Sequence, residues 1–209
     1  IRPLIERYRT DGSGLRRRYD VPMSEVRHER MERFYSEWAE RLMAVEFDAL
    51  GQDERVDYLL LRNDIRHERQ ALAHEAQRTL EIEGLVGFRH TIIELAEARR
   101  NFEPIDPAGI AEQLTGLAES IDTHHERVKA DDAEEAFPAT IAKRGADRVA
   151  SLKRALRNWY RFYSGYDPMF TWWVEKPYEQ VADKLDAYEK TIRKQLVHED
   201  DEDFFLGDP

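Results

Sequence analysis

Apolar residues recur at three- and four-residue steps along most of this 209-residue chain, and that period admits one regular structure, the α-helix with a single apolar face. The clearest stripe is Met31, Tyr35, Trp38, Leu42, Val45 and Ala49, introduced by Ser24 as an N-cap after Pro22 and stopped at Gly51. Asp53 is placed to cap the next helix, whose apolar side reads Val56, Leu59, Leu60, Asn63, His67, Ala71 and His74. The connection is short, so the two helices are expected to pack as an antiparallel hairpin. A third stretch runs from Gly84 to Arg100 with Val86, His90, Ile93 and Ala96 or Glu97 on one side, and Pro104 ends it. Asp106-Pro107 is a start signal, a capping residue followed by proline in the first turn, and Ile110, Leu114, Leu117, Ile121 and Val128 follow. After a solvated acidic link (Asp131, Asp132, Glu134, Glu135) to Pro138, the stripe resumes at Ile141, Val149, Leu152, Leu156, Trp159 and Tyr163. It breaks at Ser164-Gly165-Tyr166-Asp167-Pro168, and Pro177 is read as opening a last helix with Val181, Leu185, Tyr188, Ile192 and Leu196.

Strand-like alternation never lasts more than a few residues, no solenoid period is present, and 10 glycines with 8 prolines are too few for a turn-rich β protein. The expected fold is therefore all-α, an antiparallel bundle of about six helices with an aromatic helix break near residues 164–177. Residues 1–22 read as a basic arm and loop, a short helix or arm followed by a loop, with Arg2, Arg7, Arg9, Arg16, Arg17 and Arg18 around a flexible Asp11-Gly12-Ser13-Gly14 stretch. Residues 23–198 read as one helical domain and 199–209 as an acidic tail.

Charge and composition remove several function classes. The 43 acidic against 32 basic residues give a net charge of −11, which opposes binding to nucleic-acid phosphates, so no nucleic-acid partner is expected. The absence of cysteine removes disulfides, thiolate metal sites and a cysteine nucleophile. No apolar run reaches the length of a membrane span.

Of the seven histidines, five precede a glutamate: His28, His67, His74, His125 and His198. A zincin helix needs a second histidine four residues after the first, so that both face one metal; the residues there are Glu32, Ala71, Arg78, Lys129 and Glu202. A di-iron bundle needs paired Glu-x-x-His motifs, and only Glu25-x-x-His28 fits strictly, with Asp64-x-x-His67 and Asp122-x-x-His125 as loose analogues. His67 and His74 are expected to be hydrogen-bonded polar residues at a helix interface. No phosphate-binding glycine loop and no G-x-S-x-G elbow occur. Neither a catalytic residue nor a metal ligand is assigned.

The local anomaly is aromatic. Nine aromatics fall in the twenty positions from Trp159 to Tyr178, more than one helix face can hold, so some must surround the break as a packed corner or the wall of a cleft. Tyr166, Asp167, Phe170, Trp172, Trp173 and Tyr178 are the candidate substrate-binding residues.

The same segment, Tyr163-Ser-Gly-Tyr-Asp-Pro-Met-Phe-Thr-Trp-Trp-Val174 with Lys176-Pro177-Tyr178, resembles one in the domain-of-unknown-function 885 family of bacterial proteins. Glu54-Arg55-Val56-Asp57-Tyr58-Leu59-Leu60-Leu61 is similar to that family's N-terminal region. Members are mostly helical, more than twice this length, and carry a zincin-like H-E-x-x-P-G-H type motif in their C-terminal half, the mark of a metal-dependent peptidase. The resemblance implies a non-catalytic N-terminal helical portion that shapes or covers the substrate cleft. Its partners would be a C-terminal catalytic half and a peptide substrate, zinc being expected only in that half. The two other readings are a stand-alone helical interaction protein with no enzymatic activity, whose aromatic corner binds a partner or is simply core, and a metal-binding bundle. The chain opens on Ile1 rather than methionine, which leaves room for a removed leader, and the resemblance tilts the expected compartment towards export.

Overall fold

The computed structural model describes residues 1–197, so His198 and the acidic tail lie outside the described residues. Those residues are all-α, with no strand among them. They form two compact units that divide between Leu80 and Glu81, where the sequence pattern suggested one domain over 23–198.

Unit 1 holds α1 (Arg2–Arg18), α2 (Glu25–Met43), a 3-10 turn (Phe47–Ala49) and α3 (Gln52–Glu81). Of the short helix or arm expected here the structure shows a helix, and it runs on to Arg18 through the Asp11-Gly12-Ser13-Gly14 stretch read as flexible. The reason is packing: a Cβ on Gly12 would sit 3.3 Å from the Phe34 ring, so the missing side chain lets α1 approach α2. Ser24 caps α2 as expected, its hydroxyl accepting from the Arg27 N–H at 3.0 Å, and Met31, Tyr35, Trp38 and Leu42 are buried together with Phe34. Tyr8 lies 5.5 Å from both the Phe34 and Trp38 rings.

The expected face of α3 is corrected. Tyr58, Leu61, Ile65 and Leu72 are buried, whereas Val56, Leu59, Leu60, His67 and His74 are exposed. The run Tyr58-Leu59-Leu60-Leu61 wraps more than half the helix circumference, so periodicity there fits two rows. The row continuing into Ile65 and Leu72 buries more apolar surface than the one continuing into Asn63, His67 and His74. Asp53 is also not the cap; α3 starts at Gln52, and the Glu54 carboxylate accepts from the Gly51 N–H at 3.1 Å.

Unit 2 holds α4 (Glu83–Val86), α5 (Arg89–Arg100), α6 (Pro107–Val128), α7 (Ala133–Ala136), α8 (Ala139–Tyr163) and α9 (Pro168–Leu196). The expected helix from Gly84 to Arg100 is thus divided at Gly87 and Phe88, and the acidic link contains the turn α7, anchored by buried Ala133 and Phe137. Four long helices surround one core. Lys153 with Asp186 and Arg193 with Asp147 (2.7 Å) run α8 and α9 antiparallel. Lys184 with Asp122 and the His125 ring nitrogen 2.7 Å from the Thr191 hydroxyl place α6 parallel to α9.

The apolar row of α9 is the centre of that core: Val181, Leu185, Tyr188 and Ile192 are fully buried and Leu196 nearly so, each contributing about 1.5–3 kcal/mol. Tyr188 donates its hydroxyl to the Leu85 carbonyl at 2.9 Å, and burial pushes its pKa above the ordinary phenol value. A Cβ on Gly145 would meet Leu85 Cδ1 at 2.5 Å, so α8 depends on that glycine to reach α4.

Candidate functional site

The turn between α8 and α9 is only Ser164–Asp167, shorter than the expected break over 164–177, and α9 runs uninterrupted through Pro177. Asp167-Pro168 is the real start signal. The Asp167 carboxylate accepts from the Met169 N–H at 2.9 Å, and Pro168 fills a first-turn position. The Thr171 hydroxyl donates to the Ser164 carbonyl at 2.8 Å and fastens the turn to the helix. Proline inside a helix costs about 3 kcal/mol. Here the turns before it are held in place, because Phe170 and Val174 are fully buried.

The six sequence-predicted residues separate into two groups. Phe170 belongs to the core, its ring 5.5 Å from Trp159 and 5.2 Å from Tyr163. Half-buried Tyr178 stacks face to face on Tyr160, with centroids 3.9 Å apart and planes 4° from parallel. Burial raises the phenol pKa of Tyr160, Tyr163 and Tyr178. Asp167 is engaged as a helix cap. The remaining three face outward: Tyr166 is 94% exposed, Trp172 71% and Trp173 41%. The two indoles meet edge to face at 4.8 Å.

Met169, which the sequence reading passed over, is 58% exposed and joins them, since residues 169, 172 and 173 share one helix side at i, i+3 and i+4. Phe162 at the end of α8 is also exposed, with the Arg99 guanidinium 5.3 Å from its ring. The signal was present in the i, i+3, i+4 spacing, but it could not be told from a core stripe without knowing that Phe170 and Val174 form the buried row. A Met-Trp-Trp face has no nucleophile and no acid–base pair. It can bury apolar area, with each aromatic offering about 150–250 Å².

A second concave feature lies within unit 1, an open groove of about 620 Å³ between α2 and α3. Leu42, Tyr58 and Ile65 make its floor; His28 and Glu32 stand on one wall and Arg62, Arg66 and Arg69 on the other. Sequence reasoning missed it because its α3 wall lies on the row adjoining the buried one. Among the described residues no group of three or more metal-capable side chains occurs, and no helix is long and apolar enough to cross a membrane. The chain matches no protein-family model, no curated protein and no solved structure.

Proposed function

We propose that this chain is a non-catalytic helical portion of a larger hydrolase, its outward aromatic stripe on α9 shaping or covering the cleft of a metal-dependent peptidase half. The observation that carries the reading is the Trp172–Trp173 pair, exposed with Met169 on one side of a helix whose adjacent residues Phe170 and Val174 are fully buried. Exposed tryptophans on a rigid helix concentrate the features of an interaction hot spot, a large apolar area with little rotamer entropy to lose. The peptidase class of the partner rests on the resemblance of residues 163–178.

The experiment has two arms. Incubated with a mixed peptide library and added zinc, the chain alone leaves the peptides intact, and hydrolysis that copurifies with it would overturn the non-catalytic reading. In the second arm, the same library carries a fluorescent label and binding is followed by its anisotropy. Peptide binding raises the anisotropy with the native chain, and Trp172→Ala/Trp173→Ala abolishes binding while keeping the helical circular-dichroism signal. Binding that survives the double substitution removes the stripe from the cleft.

A further inference from the structure

The groove of unit 1 lies on the side of the α2/α3 pair that α1 leaves open. α1 packs on Phe34, Trp38 and, through the Tyr8 hydroxyl at 2.8 Å, on Asp64. The groove uses different rows of both helices. On α2 it runs from His28 to Met43, a rise of about 22 Å, or four helical turns. Its floor is apolar, and Met43 beside it is 70% exposed.

Its charge is local and opposes the trend of the chain. Net charge is −11 overall, yet three arginines line the α3 wall at i, i+4 and i+7. Glu32, across the groove, is already paired with Arg69 at 3.1 Å. Arg66 bonds only the neutral Asn63 amide at 2.7 Å, and neither Arg62 nor Arg66 has a carboxylate partner among the described residues. The first 80 residues contain 15 arginines and no lysine, and guanidinium groups are the cations best suited to fork onto carboxylates.

We propose that this groove receives one amphipathic helix of about four turns from a partner protein. Its apolar face lies against Ala39, Met43 and Ala73 above that floor, and aspartates or glutamates along one edge meet Arg62 and Arg66. The length matches a helix laid alongside α2 and α3 as the fourth member of a bundle, anchored at i, i+3/i+4 and i+7. A basic helix would place like charges against the arginine row, and a small anion would leave the apolar floor uncovered.

The probe is a displayed library of helix-biased peptides of about 15 residues, selected on the full chain. Enriched sequences should carry apolar residues at helical spacing with acidic residues on one flank. Binding of an enriched peptide should weaken with salt and fall about tenfold in Arg62→Glu/Arg66→Glu. Ala73→Trp, at an exposed position on the groove wall, should block it, while Trp172→Ala/Trp173→Ala leaves it unchanged and so separates this site from the α9 stripe. Circular dichroism establishes that each variant is folded. Enrichment of basic or unpatterned sequences, no enrichment, or binding that survives both groove variants overturns the proposal. So does a dimer of the chain that both groove variants dissociate, since the occupant is then a second copy.

Discussion

Unit 1 and unit 2 are built from the same kind of amphipathic helix and reach opposite solutions. In unit 2 three other long helices share one core with α9, whose inward row is excluded from water along its length, and exposed apolar side chains gather where α9 begins, at Met169, Trp172 and Trp173. In unit 1 three helices enclose an aromatic core of Tyr8, Phe34, Tyr35, Trp38 and Tyr58. Three helices leave one side of the α2/α3 pair without a neighbour within the unit, and the groove follows. A closed ring leaves exposed apolar side chains at the end of an element, and an open one leaves a groove between elements.

The largest effects should come from residues that make each core. Phe170→Ala in unit 2 and Trp38→Ala in unit 1 are each expected to cost about 3–5 kcal/mol, read as loss of denaturant midpoint and of hydrogen-exchange protection in the affected unit. Their exposed counterparts, Trp172→Ala and Met43→Ala, should stay within about 0.5 kcal/mol. A cost for Trp172→Ala approaching that of Phe170→Ala would make the α9 stripe part of the core and dissolve the contrast.

Next in size is the alkaline response, where the units differ in how they use tyrosine. Tyr8 donates to Asp64 at 2.8 Å and Tyr35 to Glu68 at 2.7 Å. Burial first, and then these carboxylates, raise both phenols above the ordinary value of 10.0. In unit 2, burial alone raises Tyr188. A phenol raised in the folded state contributes stability that is fully present below the unfolded value and is lost as pH rises through the folded one. Stability should therefore decline above about pH 10. Tyr8→Phe and Tyr35→Phe should each cost about 1 kcal/mol at neutral pH and flatten that decline, measured as denaturant midpoint against pH. An unchanged alkaline slope in the double variant would mean that the carboxylate-bound tyrosines do not carry the linkage.

Helix content and most boundaries were legible in the sequence because capping chemistry and periodicity are local. Ser24 and Asp106-Pro107 mark starts that the structure keeps. What escaped is decided by packing between elements. Gly12 reads as part of a flexible stretch in sequence but lies inside a helix where the Phe34 ring comes close. Pro177 looks like a helix start but is carried by the buried turns before it. On α3 two rows fit the same period, and only the positions of α1 and α2 choose between them. Of the candidate site, the aromatic density was legible, but its division into a packed half and an outward half was not, since Phe170 and Trp172 are only two residues apart.

The smallest effect concerns a backbone conformation shared by the two units. Met23 in unit 1 and Phe102 in unit 2 have φ of 59° and 56°, a left-handed conformation in residues that are not glycine. At Phe102 it ends α5, the Glu103 N–H returning to the Ala98 carbonyl at 3.0 Å in a glycine-type helix stop. Phe102 is 87% exposed whereas Met23 is 8% exposed, so the same substitution should act in opposite directions. Relief of a left-handed side chain is worth about 1–2 kcal/mol, and the freer unfolded chain takes back about 0.4–1 kcal/mol. Phe102→Gly should therefore stabilise unit 2 by about 0.5–1 kcal/mol. Met23→Gly gains the same difference but gives up about 1.5–3 kcal/mol of burial, and should destabilise unit 1. Paired denaturation curves decide it: a loss of stability in Phe102→Gly would mean that the exposed ring contributes more to the folded chain than its backbone conformation costs.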